Sequence, residues 1–147
     1  MMVNIPHAAF SGNHVGGAGS MGDWGDRLAL VIKNRLQSRF GASRMRTRFF
    51  RAVWSVETQV SNKGFVVCLT RSRYANNGWV LLIGSLNGPI RFGWPPRRTV
   101  IECNAELKQI AAEIHAFFEE QSDISALRWY FEGSGISAST PDTLSWA

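Results

Sequence analysis

Apolar and polar residues alternate with a period that changes along the chain, and each period points to a different element. Over 24–40, Leu28, Ile32, Leu36 and Phe40 recur every four residues with Ala29 and Val31 alongside, the stripe of an amphipathic helix. Asp23 stands where an N-cap belongs, and Asp26 follows three residues later like the acid of a capping box. Gly41 suits the left-handed residue that closes a helix. From 49 to 60 the period drops to two: Phe50, Ala52, Trp54, Val56 and Val60 alternate with Arg51, Ser55, Glu57 and Gln59, as in a strand with one wet face. The spacing predicts further strands over 65–71, 79–86 and 127–131, with a short continuation at 90–92. Ser61-Asn62-Lys63-Gly64 reads as a turn with positive φ at Gly64, and Asn76-Asn77-Gly78 is a hairpin signal. Leu107, Ile110, Ala111, Ile114, Phe117 and Phe118 mark one buried face of a second helix over 104–121, capped by Asn104. Glu106, Glu113 and Glu120 are expected on its wet side.

The order α-β-β-β-α-β predicts an α+β fold: an antiparallel sheet of about four to five strands with the two helices packed on one face. The division expected is a Gly-rich flexible leader at 1–22, a single domain at 23–132 and a flexible Ser/Gly/Thr-rich tail at 133–147. Within the leader, Gly19-Ser20-Met21 reads as a fusion scar and Met21 as an alternative start. The layout resembles that of type III secretion chaperones and toxin-neutralising immunity proteins. That resemblance is of element order alone and implies a role in protein binding.

Charge adds asymmetry to this picture. The chain of 147 residues carries a net +5. Residues 27–51 hold eight basic side chains and no acid, whereas residues 99–147 hold eight acids against Lys108 and Arg128. Two outcomes compete: the cationic part faces an anionic partner, or the two parts pack together and neutralise each other. No apolar run approaches the roughly 20 residues that span a bilayer, so no membrane association is expected. Two cysteines, Cys68 and Cys103, make no disulfide framework, and the expected compartment is a reducing cytoplasm.

Candidate chemistry is thin. Gly17-Ala18-Gly19-Ser20-Met21-Gly22 spells G-x-G-x-x-G before a helix, but no strand is expected before it, and Asp23 and Asp26 oppose a phosphate there. His7, His14 and His115 are scattered, with no metal-ligand spacing. Cys103 precedes a helix without a neighbouring base, and Glu57 is the one acid in 27–98. Neither a cofactor nor a metal is therefore expected, and an enzyme would require a pocket that collects Cys103, His115 or Glu57 beside a basic residue.

The strongest signal is arginine. Arg44-Met45-Arg46-Thr47-Arg48-Phe49-Phe50-Arg51 interleaves guanidinium groups with rings, and such groups bond carboxylates or phosphates in pairs. Trp94, beside Pro95 and Pro96, adds a possible anchor in an extended loop. The expectation is a non-enzymatic interaction module that grips an acidic protein partner through Arg35, Arg39, Arg44, Arg46, Arg48, Arg71, Arg73, Trp94, Arg97 and Arg98. The alternative is a nucleic-acid binder using segment 44–51 and its neighbouring loops.

Overall fold

The computed structural model describes residues 5–12, 18–41, 43–48, 53–61, 63–72, 78–85, 104–131, 135–144 and 146; within these, the side chains of 18–23 and 44–48 are not described. Along these residues run β1 (Pro6–Gly12), α1 (Ala18–Phe40), β2 (Ser43–Arg48), β3 (Val53–Val60), β4 (Lys63–Arg71), β5 (Gly78–Ser85), α2 (Asn104–Glu119), β6 (Ile124–Phe131), β7 (Ser137–Ala138) and a short 3-10 helix, Pro141–Thr143. The strands form one antiparallel sheet in the order β2-β3-β4-β5-β1-β6-β7. This is the α+β architecture that the pattern predicts, with six longer strands and the two-residue β7 in place of four to five.

One face of the sheet is buried by the helices. Alternate residues Trp54, Val56 and Val60 of β3, Phe65, Val67 and Leu69 of β4, and Trp79, Leu81 and Ile83 of β5 form the core. Ala8 and Phe10 of β1 and Trp129 of β6 complete the sheet's share of it. Against them lie Leu28, Ala29, Ile32 and Leu36 of α1 and the six predicted α2 residues from Leu107 to Phe118. Three indoles meet at one end, with Trp24 and Trp54 packed on Trp79 at ring separations of 4.9 and 5.6 Å. Their N–H groups are drawn to acids, Trp24 Nε1 donating to Asp123 Oδ2 at 2.9 Å and Trp54 Nε1 to Asp26 Oδ1. Two glycines make room for this cluster. A Cβ on Gly12 would lie 2.5 Å from the Trp24 ring, and one on Gly25 would lie 2.5 Å from the Trp54 ring.

Several boundaries depart from the sequence expectation. The leader is structured in part: residues 6–12 form β1, which pairs with β5 on one side and β6 on the other. Its buried side is built of Ala8, Phe10 and Gly12. Gly12, which looked like a spacer, has no side chain because the Trp24 ring packs on it. Helix α1 starts at Ala18, so Asp23 lies inside it and is not a cap, and Asp26 serves Trp54 instead of a capping box. The predicted strand 49–60 is β3 alone, while the arginine segment forms a separate edge strand, β2; residues 49–52 lie outside the described residues. Positive φ in the β3–β4 turn falls on Ser61 (52°) and not on Gly64, which belongs to β4. The tail also docks in part. β7 pairs with Trp129 and Tyr130, Pro141 and Leu144 are buried, and Trp146 meets Phe131 edge-on at 4.9 Å while its Nε1 donates to the Pro141 carbonyl. The predicted strand 90–92 lies outside the described residues. No described helix is long and apolar enough to cross a membrane.

Candidate functional site: a groove on the open face

Side chains of a strand alternate between faces, so residues paired across the ladders line up in rows. On the face away from the helices one row runs Thr70, Val80, Ala9, Arg128 across β4, β5, β1 and β6. The next runs Cys68, Leu82, His7, Tyr130. Toward the end of the sheet, Gly78, Ser11 and Ser125 form a third. Most side chains in the first and third rows are small, and they leave a groove of about 670 Å³. A volume of this order is typical of a binding pocket.

The groove has a polar floor and cationic margins. Ser11, Thr70 and Ser72 supply hydroxyls, Arg128 and Tyr130 border it on β6, and Arg71 touches its end from β4, in register with the core residue Trp79 and so alternating with the open-face row. Its described lining holds two arginines and no carboxylate. Neither arginine takes part in an ion pair among the described residues. The Nε of Arg71 is buried without an acceptor. A half-buried guanidinium with no counter-charge among the described residues is costly, and an arriving anion lowers that cost. Burial pushes the Tyr130 phenol above its ordinary 10.0, against the opposing pull of Arg128, so it keeps its proton at neutral pH and offers a donor. His7 stacks on Tyr130 with ring centroids 5.1 Å apart and has its Nδ1 3.1 Å from the Ile5 carbonyl oxygen.

Elsewhere Arg35, Arg39 and Lys63 meet acids. Arg35 Nε donates to Glu113 Oε1 at 2.7 Å and its Nη1 to Glu120 Oε2 at 3.0 Å, joining α1 to α2. These bonds hold the Arg35 guanidinium pKa above its ordinary value. Arg39 Nε lies 3.9 Å from Glu113 Oε2, and its guanidinium sits over the Phe40 ring. Lys63 Nζ donates to Glu106 Oε1 at 3.0 Å. Glu106, expected to face water, is 9% exposed, and the Lys63 bond holds its carboxyl below the ordinary 4.5.

The expected contact residues therefore separate. Arg35 is turned toward the α2 glutamates, because those acids lie within bonding reach once the helices pack. Arg39 lies at the margin of the same cluster. Arg44, Arg46 and Arg48 occupy β2 at the sheet edge, in register with Glu57, Ser55 and Val53. Arg71 is in the groove. Arg73, Trp94, Arg97 and Arg98 lie outside the described residues. Sequence reasoning missed Arg128 and Tyr130. The signal was present in Leu127-Arg128-Trp129-Tyr130-Phe131, where burying Trp129 sends its two neighbours to the other face.

Of the residues held in reserve for catalysis, His115 and Glu57 are not brought together. Trp129 Nε1 donates to His115 Nδ1 at 3.0 Å, which makes Nδ1 an acceptor and leaves the proton on Nε2, 3.2 Å from Glu119 Oε1. His115 is thus engaged through both nitrogens on the helix side, while Glu57 sits on β3 in register with Val66. Cys103 lies outside the described residues. Residues 18–22 of the G-x-G-x-x-G stretch are helical and form no phosphate loop. Among the described residues no group of three or more His, Cys, Asp or Glu is placed to hold a metal. No family model, curated protein or solved structure matches the chain.

Proposed function

We propose that the protein is a non-enzymatic interaction module that takes an acidic segment of a partner protein into the open-face groove, against Arg128 and Tyr130 with Arg71 at the groove's end. The observation that carries this reading is the contrast in pairing. Arg35 and Lys63 have carboxylates in bonding contact, whereas the groove gathers two arginines and four hydroxyl side chains with no acid among its described lining. The shape supports a protein segment. From β4 to β6 is three strand intervals, roughly 14 Å, which about four extended residues cover. The floor is shallow and its ladders are already paired, so specificity falls to side chains: carboxylates to the arginines, and an acceptor to the Tyr130 hydroxyl.

Titration with poly-L-glutamate and with single- and double-stranded oligonucleotides at low salt tests the reading. Binding of poly-L-glutamate, weakened about tenfold by Arg128→Ala, is the expected result. Preference for an oligonucleotide, with a steep loss of affinity as salt rises, would replace the acidic segment with nucleic acid. Absence of binding to either polymer would remove the anionic partner altogether.

A further inference from the structure

Strand β6 carries one residue more than its partner needs. Ala9 pairs with Arg128 and Ser11 with Ser125, so Ala126 and Leu127 together oppose Phe10. Ala126 has φ of 55°, the left-handed conformation that the first residue of such a bulge adopts and that glycine usually supplies. With any other residue the Cβ meets the following carbonyl, which disfavours the conformation.

The extra residue is not required by the sheet. With Ala126 removed, Leu127 stands opposite Phe10, while Ser125 keeps Ser11 and Arg128 keeps Ala9. The ladder would then run unbroken from Ile124 to Phe131. Trp129 would still face Ala8, where both residues are fully buried. The core therefore has no use for the bulge, which breaks a ladder and holds an alanine in a strained conformation. Its position is informative. Ala126 borders the groove, and the next two open-face residues after it are Arg128 and Tyr130. A bulge bends its strand and increases the local twist, which re-aims the side chains that follow. Strain kept without a structural return is a pointer to function.

We propose that the Ala126 bulge is a positioning device that raises Arg128 and Tyr130 into the wall of the groove, a role that rests on the anion-binding reading above. Two variants test it against poly-L-glutamate, with thermal melts alongside. Deletion of Ala126 should give a folded chain that melts at the same or a higher temperature yet binds about tenfold more weakly. Ala126→Gly keeps the bulge and relieves its strain, so its melting temperature should rise by about 3 °C while affinity stays within about twofold of the parent. Stability and affinity moving in opposite directions in the deletion is a result that general damage would not produce. A deletion that binds as tightly as the parent overturns the proposal. So does one that fails to fold, since the bulge would then be a requirement of the sheet. If the parent itself does not bind poly-L-glutamate, the anionic reading fails first, and the bulge loses its proposed purpose with it.

Discussion

On the helix-covered side of the sheet, Arg35 reaches Glu113 and Glu120 across 78 and 85 residues of chain, and Lys63 meets Glu106. On the open side, Arg128 and Tyr130 border a groove without a carboxylate in its described lining, with Arg71 at its end. Both sides are built from the same cation-rich first part and acid-rich last part of the sequence. Folding brings the acids of α2 to one side, where they neutralise Arg35 of α1 and Lys63 of β4. Net charge therefore says little about where an anionic partner would sit. The distribution of unpaired cations across the two faces is the informative quantity.

The largest expected effect comes from uncovering a charge on the helix side. Lys63→Ala leaves the Glu106 carboxylate buried without its donor and should cost about 3 kcal/mol in urea unfolding. The same pair fixes a pH dependence. Because the folded-state carboxyl lies below its unfolded value, the pair contributes fully above the ordinary carboxylate range, and that contribution is lost as pH falls through the lowered folded value. Stability of the parent should fall on acidification through that window, and Lys63→Ala should flatten the fall.

Packing separates the faces next. Gly25→Ala improves helix propensity, but it drives a Cβ into the Trp54 ring, and a net loss of about 2 kcal/mol is expected from the same unfolding measurement. Arg35→Ala, which frees the partly exposed glutamates, should cost about 1 kcal/mol, because water screens the pair. At the bottom of the scale, Ala9→Val on the open face should change stability by less than about 0.5 kcal/mol. It should nevertheless weaken poly-L-glutamate binding by filling the groove floor, which calorimetric titration would register. A large loss of stability from Ala9→Val would mean that the open face is packed like the covered one.

These differences explain what could be read from the chain alone. Helix α2 was legible because its six buried residues follow one stripe, and the alternation of Trp54, Val56 and Val60 marked β3 in the same way. Strand β1 was not, because its core-facing positions include the small residues Ala8 and Gly12, and at Gly12 the Trp24 ring of another element leaves no room for a side chain. The partners of Arg35 lie too far along the chain for spacing to reveal them. Arg71 was singled out for its charge, but the groove beside it depends on strand order. β1, from the leader, inserts between β5 and β6, and that insertion brings Arg128 into the row that holds Thr70. No local pattern encodes that insertion.

The account turns on which arginines remain available to a ligand. Calorimetric titration of poly-L-glutamate into two double variants asks this directly: Arg71→Ala with Arg128→Ala from the groove lining, and Arg35→Ala with Arg39→Ala from the contact between the helices. The account predicts that the first pair loses about a hundredfold in affinity and that the second binds like the parent. Equal losses in the two, or a loss confined to the helix-side pair, would contradict it.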